Sequence, residues 1–166
     1  MENDTRVEPP EAAGERETLT GFLDYFRATV QLKAAGLSDA DGAKRLLPSL
    51  TTVSGLVQHL TDVEQFWFRD RMDGQPGVPI RWSDEDPDGE FRVSESVSLV
   101  RLLADYEAAC RQSREVLARY DLEDRCRGGD KGQSVRWVVV HMIEETGRHC
   151  GHLDILRELL DGSTGD

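Results

Sequence analysis

Three of the chain's four histidines and two glutamates fall within twelve residues, HMIEETGRHCGH, at positions 141–152. His141, Glu145, His149 and His152 stand four, four and three residues apart, which puts them on one face of an α-helix that turns about 100° per residue. The same face also carries apolar residues: Val138, Met142, Leu153 and Leu156. The face is therefore predicted to point into the protein core, where a carboxylate needs a partner because an unpaired buried charge is costly.

The fourth histidine, His59, lies in a second helical stripe with Leu56, Leu60, Val63 and Trp67. It is therefore also expected to face the core. Glu145 and His149 are one turn apart, about 6 Å along the helix axis, so both can reach a single ion. With His59 from a neighbouring helix they would supply two imidazoles and one carboxylate and leave a coordination position open, as in catalytic metal sites.

The pattern alone leaves other interpretations open. A histidine on an apolar helix face is more often a hydrogen-bonded core residue than a metal ligand. His141, one turn before Glu145, is at least as well explained in that way. The shared inward orientation of all four histidines is what favours a metal site over a polar core.

Four stripes of apolar residues at helical spacing predict four long helices, near 16–34, 51–72, 94–119 and 134–161. A short helical turn is predicted at 39–46. No segment has the alternation typical of a β-strand, so the expected fold is an all-α four-helix bundle.

The segments outside the helices are rich in charge, glycine and proline. Residues 1–15 are predicted to be a disordered tail, and residues 16–162 a single bundle domain. Residues 73–93 form a long loop, which is expected to be functional or mobile. Its acidic run SDEDPDGE (83–90) is interpreted as solvated, and its Trp82 is a candidate for the wall of a pocket, whereas Trp67 is expected in the core.

Composition limits the classes of partner. The 166 residues carry a net charge of −12, which argues against binding to nucleic-acid phosphates. No apolar run approaches the roughly 20 residues of a membrane span, and the polar N-terminus predicts a cytoplasmic protein with no membrane partner. The three cysteines, at wide spacings, support neither a disulfide framework nor a cysteine-based zinc site.

Two segments, RWVVVHMIEETGRHCGHLDILRELLDG (136–162) and TTVSGLVQHLTDVEQFWF (51–68), resemble the DinB-like superfamily of four-helix metalloproteins. The similarity is to the actinobacterial branch related to mycothiol-dependent maleylpyruvate isomerase and to thiol S-transferases, and it extends over nearly all of the chain after residue 15. It implies a divalent metal held by His59, Glu145 and His149. Zinc is the first expectation, and nickel, iron or manganese also suit this ligand set. The resemblance further implies a homodimer.

The activity implied by the resemblance is S-transfer or isomerisation on a small-molecule substrate, with the metal activating a low-molecular-weight thiol of the mycothiol type. His152 stands where many members carry glutamine. It is about 10 Å along the axis from Glu145, so an acid–base or hydrogen-bonding role in catalysis is predicted for it and not ligation. A metal-dependent hydrolase with the same ligands, and a non-enzymatic bundle that binds a metal or small ligand, are the alternatives.

Overall fold

Five α-helices make up most of the described part of the chain, which comprises residue 4 and residues 6–165 of this computed structural model. Their bounds are α1 Glu15–Ala34, α2 Asp39–Ala43, α3 Val53–Glu64, α4 Leu99–Leu117 and α5 Val135–Asp161. A π-helix, Gln65–Met72, continues α3, and a single 3₁₀ turn, Gly89–Phe91, interrupts the long loop before α4. Within the described residues there is no β-strand, so the prediction of an all-α four-helix bundle is confirmed.

The four long helices pack as two pairs around a common core. α1 lies along α5, and α3 lies along α4 and also contacts α5. The buried apolar side chains form two clusters, one around Phe68 and Met142 and the other around Leu56, Tyr106 and Leu153. Burial of each such side chain stabilises the fold by roughly 1.5–3 kcal/mol. The α3–α5 contact brings His59 next to the last helix.

Local hydrogen bonds explain where the helices that carry the site begin and end. The Thr52 hydroxyl accepts the N–H of Gly55 at 2.9 Å and starts α3. The Ser134 hydroxyl accepts the N–H of Trp137 at 3.2 Å and starts α5. α5 ends at Asp161, and the next residue, Gly162, has a φ of 78°, the left-handed conformation that glycine adopts without strain.

α4 begins at Leu99, several residues later than the predicted start near 94. The backbone N–H of Leu99 donates to the carboxylate of Asp39 at 2.7 Å. The cap thus comes from α2 and not from the residues just before α4. A local sequence pattern cannot show such a cap, because donor and acceptor are 60 residues apart.

A buried ion pair joins α1 to α3. Arg27 donates from Nε and Nη2 to the two carboxylate oxygens of Glu64, both at 2.7 Å. The side chains are only 4% and 1% exposed. Since each charge has lost its water, each depends on the other for its stability in the core.

The π-helix changes which side chains face the core. The N–H of Asp73 donates to the carbonyl of Phe68, five residues back, at 3.1 Å. The wider turn buries Phe68 and Met72 completely. Trp67, expected in the core, is only partly buried and lies at the edge of the cluster around Phe68. A constant 100° per residue does not describe the chain after Glu64.

The residues before α1 run along that helix. The Arg6 guanidinium lies over the Tyr25 ring at 4.9 Å and donates to the Thr29 hydroxyl at 3.3 Å. Residues 1–3 and 5 of the predicted disordered tail lie outside the described residues, and the predicted division into tail and bundle stays a prediction. Across the described helices, none is long and apolar enough to cross a membrane.

Candidate metal centre

Two helices bring together the three residues predicted as metal ligands. His59 lies on α3, and Glu145 and His149 lie one turn apart on α5. Nε2 of His59 is 3.0 Å from Oε1 of Glu145, and Nε2 of His149 is 3.2 Å from the same oxygen. One donor atom from each residue lies within 4.8 Å of the other two. The three side chains are 13%, 18% and 12% exposed, respectively, so the cluster is largely shielded from water.

His59 lies between two carboxylates. While Nε2 faces Glu145, Nδ1 is 3.2 Å from Oε1 of Glu90. For both contacts to be hydrogen bonds, the ring must carry a proton on each nitrogen. A cation in place of the Nε2 proton would satisfy Glu145, and Nδ1–H would still donate to Glu90. This is the carboxylate–histidine–metal arrangement found around bound metal ions.

The donor set fits a divalent ion. With bonds of about 2.0–2.2 Å, the donors of a tetrahedral site lie about 3.4 Å apart. The observed separations, from 3.0 to 4.8 Å, need only small side-chain shifts to reach that geometry. Hydrogen bonds from His149 and His59 hold the pKa of Glu145 well below its usual range. The carboxylate is therefore ionised and available to a cation at neutral pH.

His152 contacts the cluster from the far side of His149. The two Nδ1 atoms are 3.1 Å apart, so one ring donates and the other accepts. If Nε2 of His149 serves as a ligand, its Nδ1–H donates to His152. Burial lowers the pKa of His152, which favours the neutral ring that accepts this bond. The hydrogen-bond partner of His152 is thus the candidate ligand His149. The catalytic role predicted for His152 stays a prediction.

His141 lies outside the three-donor cluster. Its ring stacks on Trp137 at 5.1 Å and meets the Trp67 ring edge-on at 4.8 Å. Its nearest carboxylate is that of Glu144, 3.7 Å away on the same helix. The ring lines a cavity beside the cluster instead of pointing at the donors.

The loop before α4 closes over His59 through Glu90 and Phe91. Glu90 is 4% exposed, and its backbone carbonyl accepts the side-chain amide of Gln58 at 2.6 Å. The Phe91 ring stacks on the His59 imidazole at 4.9 Å with an interplanar angle of 21°. The interpretation of the acidic run 83–90 as solvated is therefore wrong for its last residue, since Glu90 is buried against the candidate ligand.

A second contact ties the same loop to α3 one turn further on. Asp62 is fully buried, and it accepts the backbone N–H of Arg81 at 2.9 Å and also pairs with the Arg81 guanidinium. Burial raises the pKa of Asp62, and the charge and backbone hydrogen bond of Arg81 oppose that rise. Sequence reasoning missed Asp62 and Glu90, because their partners lie across a loop with no periodicity. The one signal for Glu90 is an aromatic neighbour, Phe91, at the end of a polar run.

A cavity of about 220 Å³ opens beside the cluster. Its walls are aromatic: Phe66 and Trp67 come from the π-helix, and Trp82 comes from the loop, as the sequence suggested for this residue. His59 and Glu145 also line it, so the open side of the donor cluster faces a space that a small molecule can enter.

Comparison with known proteins identifies the family and the fold. The model of the family described as Mycothiol-S-transferase, a DinB-like family, matches residues 18–162. No curated protein gives a significant match to the chain. A solved structure described as a conserved protein from Enterococcus faecalis aligns with a TM-score of 0.71 at 14% identity, covering 92% of this chain and 100% of that one. At this identity the structural likeness shows the fold alone.

Proposed function

We propose that this chain, which belongs to the mycothiol S-transferase family, is a metal-dependent enzyme that uses a low-molecular-weight thiol of the mycothiol type for S-transfer or isomerisation. His59, Glu145 and His149 would hold the divalent ion, with zinc the first expectation and nickel, iron or manganese also suited to two imidazoles and a carboxylate. The observation that carries the proposal is the convergence of both Nε2 atoms on one oxygen of Glu145, at 3.0 and 3.2 Å.

The chain supplies no reactive thiol of its own. Its three cysteines, Cys110, Cys126 and Cys150, are all buried. Burial raises the pKa of Cys150 to about 12 and raises the pKa of Cys110 and of Cys126 as well. A thiol with such a pKa carries almost no thiolate at neutral pH. The nucleophile of an S-transfer reaction must therefore come from a cosubstrate.

A free thiol has a pKa of about 8.5, so the reaction gains from any group that favours its thiolate. A divalent ion lowers the pKa of a coordinated thiol and presents the thiolate at neutral pH. The residues around the cluster keep the ligands in place: Glu90 accepts the Nδ1–H of His59, and His152 lies against Nδ1 of His149. Both imidazoles are thereby turned with Nε2 toward Glu145.

Proton handling is proposed for the two remaining histidines. His152 contacts His149 and would act through that ring. His141 lines the cavity and is the imidazole placed to accept the proton of an incoming thiol. The substrate is proposed to be a small molecule, and the homodimer and the cytoplasmic location stay predictions.

The experiment that tests this function compares the metal-loaded protein with and without mycothiol, in the presence of an alkylating electrophile. We expect a thioether conjugate, identified by mass spectrometry, that forms only when both thiol and protein are present. Equal consumption of the electrophile without thiol would instead support the hydrolase. Tight metal binding with no turnover of any electrophile would support the non-enzymatic bundle. Either result would overturn the proposal.

A further inference from the structure

We infer that the electrophile of this site is a neutral, planar aromatic molecule of about one substituted ring, bound in the cavity against the rings of Phe66, Trp67 and Trp82. The part of the inference that concerns the reaction rests on the proposed function. The part that concerns binding of the ring rests on the cavity walls alone, and the two can be tested separately.

The aromatic walls are the first argument. The Phe66 ring lies 5.2 Å from Trp67 at an interplanar angle of 81° and 5.5 Å from Trp82 at 66°. These are edge-to-face contacts within the range of about 4.5–7 Å that aromatic pairs prefer. All three side chains are only partly buried, so each still has ring surface to offer. A flat aromatic ligand can add further contacts of the same kind.

The size of the cavity is the second argument. An engineered apolar cavity of about 150 Å³ holds benzene, and drug-sized ligands occupy about 300–1,000 Å³. The volume here, about 220 Å³, lies between these values. It accommodates one ring with a reactive substituent but does not enclose a ring system together with a sugar-bearing thiol. The cavity therefore suits the electrophile, and the body of the thiol remains outside.

Charge is the third argument. Glu90 and Glu145 line the cavity, and among its described lining residues there is no lysine or arginine. The chain as a whole carries a net charge of −12. The guanidinium of Arg71 lies over the Phe66 ring at 4.6 Å, but it lines the adjoining groove and not this cavity. A carboxylate or phosphate on the ring would therefore meet repulsion from Glu90 and Glu145. The proposed function adds one divalent metal ion to the site. The charge of that ion is offset by the carboxylate of Glu145 and by the thiolate of the cosubstrate.

A benzylic chloride illustrates the reaction expected of such a ligand. The thiolate sulfur forms a bond to the benzylic carbon, the carbon–chlorine bond breaks, and chloride leaves with the bonding electron pair. The proton of the thiol passes to a base, for which His141 is placed at the cavity wall. No oxidant or reductant is needed.

Binding can be measured through the protein's own fluorescence. The chain has three tryptophans; Trp67 and Trp82 line the cavity, and Trp137 lies 5.3 Å from Trp67. Every tryptophan therefore reports on this site. The probes are 4-nitrobenzyl alcohol, which is neutral, and 4-nitrobenzoate, which carries the same ring and a negative charge. Each is titrated into metal-free protein and into metal-loaded protein saturated with mycothiol, because a carboxylate can otherwise coordinate the open position of the ion. The neutral aliphatic cyclohexylmethanol is the competitor.

We expect the neutral ring to bind at least about tenfold more tightly than the anion in both forms, and more tightly than the aliphatic alcohol. Trp82→Ala should weaken binding of the neutral ring about tenfold, and Trp82→Phe should restore most of it. Phe22→Ala, at an exposed aromatic of α1 outside the cavity, is the matched control and should change nothing. Equal or tighter binding of the anion, no binding of the ring, or an unchanged affinity in Trp82→Ala would overturn the inference.

Thiol transfer to 4-nitrobenzyl chloride and to 4-(chloromethyl)benzoate separates this inference from the proposed function. If both electrophiles react equally well, the function stands and the inference fails. If the neutral ring binds the metal-free protein as expected but no electrophile reacts with thiol, the inferred binding site stands and the proposed function fails.

Discussion

Nδ1 of His59 lies 3.2 Å from Oε1 of Glu90, so a buried carboxylate from an irregular loop fixes the far side of a candidate metal ligand. The other oxygen, Oε2, is buried and has no hydrogen-bond partner among the described residues. Glu90 thus contributes to the packing of the bundle mainly through two hydrogen bonds, one from Gln58 to its backbone carbonyl and one between its carboxylate and His59. We interpret it as the residue that orients the imidazole.

Replacing Glu90 tests this role. Glu90→Gln keeps an acceptor for the His59 ring but loses the charge, and Glu90→Ala loses both. We expect metal affinity to fall in that order, by about 10–100-fold for alanine, as is typical when the hydrogen-bond partner of a ligand histidine is removed. Competition with a chelator measures the affinity. Glu85→Gln, at an exposed acid of the same loop, is the control. If the alanine variant binds metal as the unchanged protein does, Glu90 has no such role.

Helical periodicity predicted the four long helices and placed His59, Glu145 and His149 on inward-facing stripes, because the side-chain direction repeats reliably along an α-helix. The prediction that the three converge on one ion also depended on the resemblance to the DinB-like superfamily. It failed at Trp67, where the π-helix changes the turn. It also failed at Glu90, because an irregular loop has no repeat that shows which residue turns inward. The loop contacts depend on partners from a distant part of the sequence, and no local pattern encodes them.

His152 is the next residue to test, since its ring nitrogen lies 3.1 Å from that of His149. In His152→Ala we expect metal to remain bound, with affinity or turnover lowered about 10–100-fold. His152→Gln offers a carbonyl acceptor to His149 and should recover part of the loss. Metal stoichiometry and the rate of thiol transfer are measured on the same samples. Loss of metal as complete as in His149→Ala would make His152 a ligand, and no change in either quantity would make it a core histidine.

The loop over the site should loosen when its anchor at Asp62 is removed. In Asp62→Ala, the Arg81 guanidinium can turn to water because its side chain is already 46% exposed. We therefore expect the bundle to stay folded while backbone amides at 81–91 exchange with solvent about tenfold faster, since hydrogen bonds to charged groups are worth about 1.5–3 kcal/mol.

The matched control for the loop is Asp86→Ala. Asp86 pairs with Arg92 at the surface, where both side chains are about half exposed. Such pairs contribute about 0–1 kcal/mol, so exchange should change little. Equal exchange rates in the two variants would show that Asp62 does not hold the loop.

Stability of the bundle should depend on the Arg27–Glu64 pair. Glu64→Ala leaves the buried Arg27 guanidinium with only the half-exposed carboxylate of Asp24 as a partner. We expect the free energy of unfolding to fall by about 3 kcal/mol. Urea denaturation measures the loss. Glu107→Ala, which removes an exposed partner of Arg114, should cost less than about 1 kcal/mol. If Glu64→Ala and Glu107→Ala lost similar amounts of unfolding free energy, burial would not be what makes the Arg27–Glu64 pair important for stability.

The central claim is that His59, Glu145 and His149 hold one divalent ion. Elemental analysis of protein purified without an affinity tag, alongside His149→Ala and a His141→Ala control, tests it most directly. The account predicts about one ion per chain in the unchanged protein and in His141→Ala, and almost none in a folded His149→Ala. Metal-free protein that takes up no added divalent ion, or equal metal content in His149→Ala, would contradict it.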